Sequence, residues 1–297
     1  MSIIRSIIKS IVLKAYKYYA EIKLSQLKKL EIQTVEKIAN AIQDAMNNKL
    51  EPDEKKWIDK IENKRNILNN SSRKILRMDY GAGDPNDLRN EKEMNGGVDI
   101  ETTVGEACYK GSKTYFWSLL LHKLTREFKP SICIELGTCV GISGLYQASA
   151  LKLNNNGKLI TLEGSKSLVN LANDNFQQLD LDNVQIICGR FIDNLDNVLN
   201  KNNPIDYVFI DGHHDEKATI LYFEKFTHFL SKNSIIIFDD IYWSKGMRNA
   251  WNDIIKNELI KISINLREIG ICILDENIHR KNNFIIPLFS SMALYND

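Results

Sequence analysis

Three groups of residues in this chain have the types and spacing to do chemistry. The first is Glu135-Leu136-Gly137-Thr138-Cys139-Val140-Gly141-Ile142-Ser143, an apolar run ending on an acid and then turning on two glycines. Glycine lets backbone approach a ligand closely, and a turn that opens a helix presents amides to an anion. The second is Glu163, 22 residues beyond Gly141 at the end of the next apolar run, with Gly164-Ser165 after it. A carboxylate at that place can accept from both hydroxyls of a ribose. The third is a set of acids and bases: Asp211-Gly212-His213-His214-Asp215, then Asp239-Asp240, then Lys245. Carboxylates that converge make the oxygen-rich site magnesium prefers. Imidazole, titrating near neutral pH, can take a proton from a hydroxyl. Lys245 is an alternative base or an anion clamp.

Each group also has a plainer reading. The glycine turn is a tight connection without a ligand, Glu163 is an acid favoured by a helix N-terminus, and Asp239-Asp240 cap the next helix. The histidines are solvated loop residues. Glycine spacing narrows the choice of ligand. A dinucleotide loop needs G-x-G-x-x-G, but Cys139 stands at the middle position, and no Gly-Lys-Ser/Thr tripeptide of a P-loop follows. The pattern E-x-G-x-x-x-G-x-S suits a smaller ligand whose amino-acid end lies over the turn. The Tyr-x-x-x-Lys spacings, Tyr19 with Lys23 and Tyr109 with Lys113, fall before the first strand.

These groups must be held by elements, and the apolar runs say which. Ile132–Glu135, Leu159–Glu163, Val184–Cys188, Tyr207–Asp211 and Ile235–Asp239 read as strands, alternating with segments of helical length. Near-continuous apolar strands separated by helices predict a parallel sheet covered on both faces, an α/β fold. Further strands are expected at Ile262–Leu266, Gly270–Leu274 and Phe284–Pro287, two of them closing the sheet as an antiparallel hairpin. Ahead of the sheet, residues 2–50 read as helix, with Ile4, Ile7, Ile8, Ile11, Ala15, Tyr18 and Ile22 as its apolar stripe. Pro52 reads as a fresh helix start. Tyr80 to Gly97 is turn-rich and charged, a loop of the kind that serves as a lid.

Composition bounds the rest. The 297 residues are 43% hydrophobic and carry a net charge of +1, which excludes a global field for nucleic acid. Residues 1–30 hold seven Lys/Arg against Glu21, +6 locally, which leaves about −5 for the remainder. That basic helix reads as a packing or homodimer face with solvated lysines, in preference to a peripheral membrane anchor. Five scattered cysteines predict a reducing compartment without disulfide or zinc. No run approaches a membrane span, and the N-terminus lacks the clean apolar centre of a signal peptide, so the expected location is cytoplasmic.

With the Glu-Leu-Gly-Thr turn, Glu163 and the strand-end acids in this order, the chain resembles the class I S-adenosylmethionine-dependent methyltransferases. The branch is the one akin to catechol-type O-methyltransferases, and the resemblance covers roughly Tyr115 to Ile286. It implies a Rossmann-like doubly wound sheet, mostly parallel with one antiparallel C-terminal strand, plus an N-terminal helical extension. Residues 1–112 would be the extension and lid, and residues 113–297 the cofactor-binding domain. It implies S-adenosylmethionine held by Glu135, Gly137, Thr138, Gly141 and Ser143 at its methionine end. Glu163, Gly164 and Ser165 would lie at the ribose, Gly189, Arg190 and Phe191 on the adenine side, and Asp211 near the sulfonium. Magnesium would sit on Asp211, Asp239 and Asp240, with an acid at Asp240 where the family carries an amide. His214, His213 or Lys245 would be the base for O-methylation of a small-molecule acceptor. The rival classes are a nicotinamide oxidoreductase, a metal-dependent nucleotide-sugar transferase and an inactive binding module on the same sheet.

Overall fold

Buried β-branched runs make the centre of the molecule. The computed structural model describes residues 2–291. Five strands, β5 (Ile132–Leu136), β6 (Lys158–Glu163), β7 (Val184–Cys188), β8 (Ile205–Ile210) and β9 (Leu230–Phe238), lie parallel in the order β9-β8-β5-β6-β7. Beyond β9 come β11 (Gly270–Asp275), β10 (Ile262–Asn265) and β12 (Asn282–Ile285). Strand β11 is antiparallel to both its neighbours, while β12 runs parallel to β10. The sheet therefore has eight strands with one reversed, as expected, and the third tail segment adds an edge strand beside the hairpin.

Period-two alternation divides the side chains between two cores. Ile134, Leu136, Ile160, Leu162, Val208 and Phe238 face α9 (Phe191–Lys201), α10 (Glu216–Thr227) and α11 (Lys245–Ile254). Cys133, Leu159, Tyr207, Phe209 and Ile237 face α6 (Tyr115–Phe128) and α7 (Ile142–Asn154), while α8 (Lys166–Gln178) follows β6. Trp251 is buried against Phe238 and over Gly270, so it packs α11 onto the sheet.

The N-terminal helices join that second core and build none of their own. Residues 2–50 are two helices, α1 (Ser2–Lys28) and α2 (Gln33–Met46), because Glu31 adopts a left-handed conformation and turns the chain between them. The expected apolar stripe of α1 is also corrected. Ile11, Tyr18 and Ile22 are exposed, and the helix packs through Ala20, Leu24 and Leu27 on its other side. The side chains of Ile4, Ile7 and Ile8 fall outside the described residues. Helix α3 (Pro52–Asn69) starts at Pro52 as expected, with a capping box between Glu51 and Glu54. Glu54 is buried there against Lys123, with His122 and Arg126 each 3.4 Å away, which fastens α3 to α6.

Between α3 and α6 the chain forms a strap. Strand β1 (Lys74–Asp79) pairs antiparallel with β4 (Val98–Thr103). Between them lie the short ribbon β2 (Gly83–Asp84) and β3 (Asp87–Leu88) and helix α4 (Glu91–Gly96), and α5 (Val104–Gly111) follows. The turn-rich segment 80–97 thus carries structure of its own. Among the cysteines, Cys188 is exposed, whereas Cys108, Cys133 and Cys272 are buried. Among the described residues, no helix is long and apolar enough to cross a membrane.

Candidate active site

A cavity of about 370 Å³ lies over the carboxyl ends of β5, β6, β8 and β9, the edge where open α/β sheets bind ligands. Its floor is the glycine turn. Gly137 has φ +106°, and a Cβ there would meet the Asp211 carbonyl oxygen at 1.8 Å, so only glycine fits between the ends of β5 and β8. The turn is tied down by the amides of Gly137 and Thr138, which donate to the Leu162 carbonyl at 3.0 and 3.2 Å.

Glu163 stands in the wall beside it. Its Oε2 accepts from the Cys139 amide and its Oε1 from the Ser165 amide, both at 2.8 Å. The two bonds fix the carboxylate's orientation and leave each oxygen a further lone pair. Burial pushes Glu163 up, and the two amides and Arg77 counter it. The strap covers this side. Ser165 and Ser167 hold β1 through the Met78 amide and the Leu76 carbonyl, and the Tyr80 ring lies on Gly164, where no Cβ would fit. The Ala82 amide donates to the His213 carbonyl at 2.7 Å, and Arg190 donates to the Asn95 carbonyl at 2.8 Å. The strap is therefore pinned at three places around the cavity.

At the far end are the acids and histidines. His213 Nδ1 is 2.8 Å from the Tyr222 hydroxyl, and burial pushes its pKa down. His214 lies with Nε2 3.7 Å from Asp211 Oδ1 and its ring 5.7 Å from that of Trp243. Four non-glycine residues of the wall have left-handed backbone: Cys139, His213, His214 and Asp240. Each costs of order 1–3 kcal/mol, a strain that gathers where backbone is held for a purpose.

Oxygens of Asp239, Asp240 and Glu268 lie within 4.8 Å of one another. Among them sits the ammonium of Lys113, bonded to Asp239, 3.4 Å from Glu268 and 3.8 Å from Asp240. Burial works against that charge, but Asp239, Asp211, Asp240 and Glu268 outweigh it and keep the lysine protonated. Oδ1 of Asp239 is buried without a hydrogen-bond partner, and the Asp211 carboxyl lies beside it. Burial raises both acids, Asp211 to about 6.

Of the residues expected from sequence, Gly137, Glu163, Gly164, Arg190, Phe191, Asp211, His213, His214, Asp239 and Asp240 line this one cavity. Others do not. Glu135 is fully buried beneath α7, accepting from Gln147 at 2.8 Å and Thr161 at 2.6 Å, with Ser143 also bonded to it. Glu135 and Ser143 thus brace the turn from below. Thr138, Gly141, Ser165 and Gly189 shape the backbone around the wall without being part of it. Lys245 is an exposed first residue of α11, set outside the cavity because Ser244 caps that helix and turns its start to solvent. Sequence reasoning missed Lys113, Arg77 and Met78, and it expected Tyr80 and Met94 only as parts of a lid, without a place in the wall.

Comparison with known proteins follows the same lines. Residues 134–241 match a family model described as a methyltransferase domain. No curated protein sequence matches the chain. Among solved structures, an O-methyltransferase from Bacillus cereus in complex with SAH is similar at 21% identity and TM-score 0.50, over 56% of this chain and 84% of that one. A SAH-bound methyltransferase from Podospora anserina is similar at 16% identity and TM-score 0.50, over 56% and 81%. At such identities the likeness is one of fold. Over residues 134–241 the chain is thus similar to a methyltransferase domain, and its sheet has the fold of these two methyltransferases.

Proposed function

We propose that this protein transfers a methyl group from S-adenosylmethionine to an oxygen of a small-molecule acceptor. The observation that carries the reading is Glu163, held by two amides with lone pairs free, beside a glycine turn that admits no side chain. The donor fits that wall: Glu163 meets ribose hydroxyls, and the strap with Phe191 and Arg190 encloses the adenine side. When bound, the donor supplies an electrophilic methyl carbon. The chain's task is then to align the acceptor and take its proton. His214 is our choice of base, because His213 already engages Tyr222, and the imidazolium formed at His214 would face Asp211 Oδ1. Trp243 packs against that ring and narrows the acceptor side. The strap, with the rest of residues 1–112, acts as a lid and positioning extension. A net charge of +1 favours a small acceptor over nucleic acid.

Magnesium does not fit with Lys113 in place. An ion bound at about 2.0–2.6 Å from these carboxylate oxygens would crowd the ammonium already bonded to Asp239. The test is transfer of a labelled methyl group from S-adenosylmethionine across a panel of phenols, sugars and hydroxylated antibiotics. Labelled product that disappears with Gly137→Val supports the reading, and donor binding without turnover on any acceptor class would favour an inactive module.

A further inference from the structure

We infer that Lys113 is the built-in cation of the acidic cluster at the ends of β8 and β9, filling the place a divalent metal would otherwise take. The donor set is of the hard, oxygen-only kind that attracts such a metal: Asp239, Asp240 and Glu268 converge within 4.8 Å, and Asp211 adjoins Asp239. Asp239 is fully buried while Asp240 and Glu268 are partly exposed, and carboxylates gathered this closely around a buried one need a counter-charge. Lys113 supplies it from outside the sheet. It stands between α5 and α6, immediately before Thr114, and only 12% of its side chain is exposed. The ammonium reaches three carboxylates at once, so it sits inside the cluster and is no rim partner.

Lysine and a divalent ion exclude one another here. To admit the ion, a buried ammonium must leave Asp239 and find another partner, and the like charges repel if it stays. Lys113 also lines the cavity together with His214 and Trp243. On the methyl-transfer reading, on which this part rests, its charge would hold a developing acceptor oxyanion where a metal would do so elsewhere. Lysine does this as a compact point charge and without an exchangeable ligand.

Titration of the donor-free protein with Mn²⁺, followed by electron paramagnetic resonance, tests the assignment without any acceptor. Wild type should bind no Mn²⁺ tighter than about 1 mM. Lys113→Met, similar in length and uncharged, should gain one Mn²⁺ site at least tenfold tighter than wild type, and Asp240→Asn added to it should remove that site. Lys113→Met should also melt roughly 5 °C or more below wild type, with Mg²⁺ restoring part of the loss. A single micromolar Mn²⁺ site in wild type, abolished by Asp240→Asn, would overturn the inference. So would a Lys113→Met protein as blind to Mn²⁺ as wild type. The wild-type titration decides even if the variant cannot be purified. Failure of the methyl-transfer reading would appear in a separate titration with S-adenosylmethionine, which these measurements leave untouched.

Discussion

Replacing Glu163 by glutamine separates its role in the ligand from its role in the turn. The carboxylate accepts from two amides, Cys139 and Ser165, at 2.8 Å each. Glutamine keeps one acceptor oxygen and turns the other end into a donor, which then opposes one of those amides. Leaving a buried donor unpaired costs about 1–3 kcal/mol, and a hydrogen bond to a charged group contributes about 1.5–3 kcal/mol. The amide variant loses one such bond to a ribose hydroxyl and distorts the pocket that offers the other. A combined loss of about 3–4 kcal/mol corresponds to a rise of several hundredfold in the dissociation constant for S-adenosylmethionine. Calorimetric titration reads the affinity, and a melting curve of the free protein reads the turn. Glu163→Ala should weaken binding at least as much, since it removes both acceptors. If Glu163→Gln binds the donor within threefold of wild type while melting normally, ribose recognition lies elsewhere and the reasoning fails.

Gly137→Ala should lose donor binding and melt lower, because its Cβ would meet the Asp211 carbonyl at 1.8 Å and its backbone is left-handed; unchanged affinity would refute the close approach. With an acceptor in hand, His214→Ala should lower kcat by roughly 10²–10⁴-fold and leave donor affinity unchanged, whereas a fall below fivefold would move the base to another group. Glu54→Ala should destabilise the fold by about 3–5 kcal/mol in guanidinium titrations, since it strands Lys123 and its neighbours in the interface between α3 and α6. A loss below about 1 kcal/mol would contradict that role. Burial pushes Glu135 from 4.5 up to about 7, so the native state holds a proton that the unfolded chain releases. Stability from this group is therefore full below pH 4.5 and declines as pH rises towards 7, by on the order of 3 kcal/mol. Glu135→Gln should flatten that decline, and denaturation curves at pH 5 and pH 8 that shift in parallel for both proteins would count against it.

Much of the sheet was readable because its strands are buried on both faces and their apolar runs are uninterrupted. Strands β5 to β8 begin and end within two residues of where those runs do. Glu163 and the strand-end acids were equally legible, since a strand's carboxyl end locates its last residue. Periodicity failed on α1, where Ile11, Tyr18 and Ile22 lie on the exposed side and Ala20, Leu24 and Leu27 do the packing. An amphipathic pattern reports that a face is apolar without saying what covers it. Glu135 looked like a ligand because it ends a strand, yet alternation turns it beneath α7, towards Gln147 and Thr161. Lys113 was hidden for a different reason. Its partners are 126, 127 and 155 residues away in sequence, and no local pattern records such contacts. A signal was nevertheless present, because a residue just ahead of the helix that precedes β5 must lie near the carboxyl ends of the strands. The strap was legible only as turns, since β1 and β4 pair across an interval that includes another ribbon and a helix.

The most direct test of the central claim is equilibrium titration of the purified protein with S-adenosylmethionine, with NAD as a parallel ligand. The account expects one S-adenosylmethionine per chain with a dissociation constant on the order of micromolar to tens of micromolar, and no NAD binding below about 1 mM. Saturable binding of NAD, or no binding of S-adenosylmethionine up to about 1 mM, would contradict it.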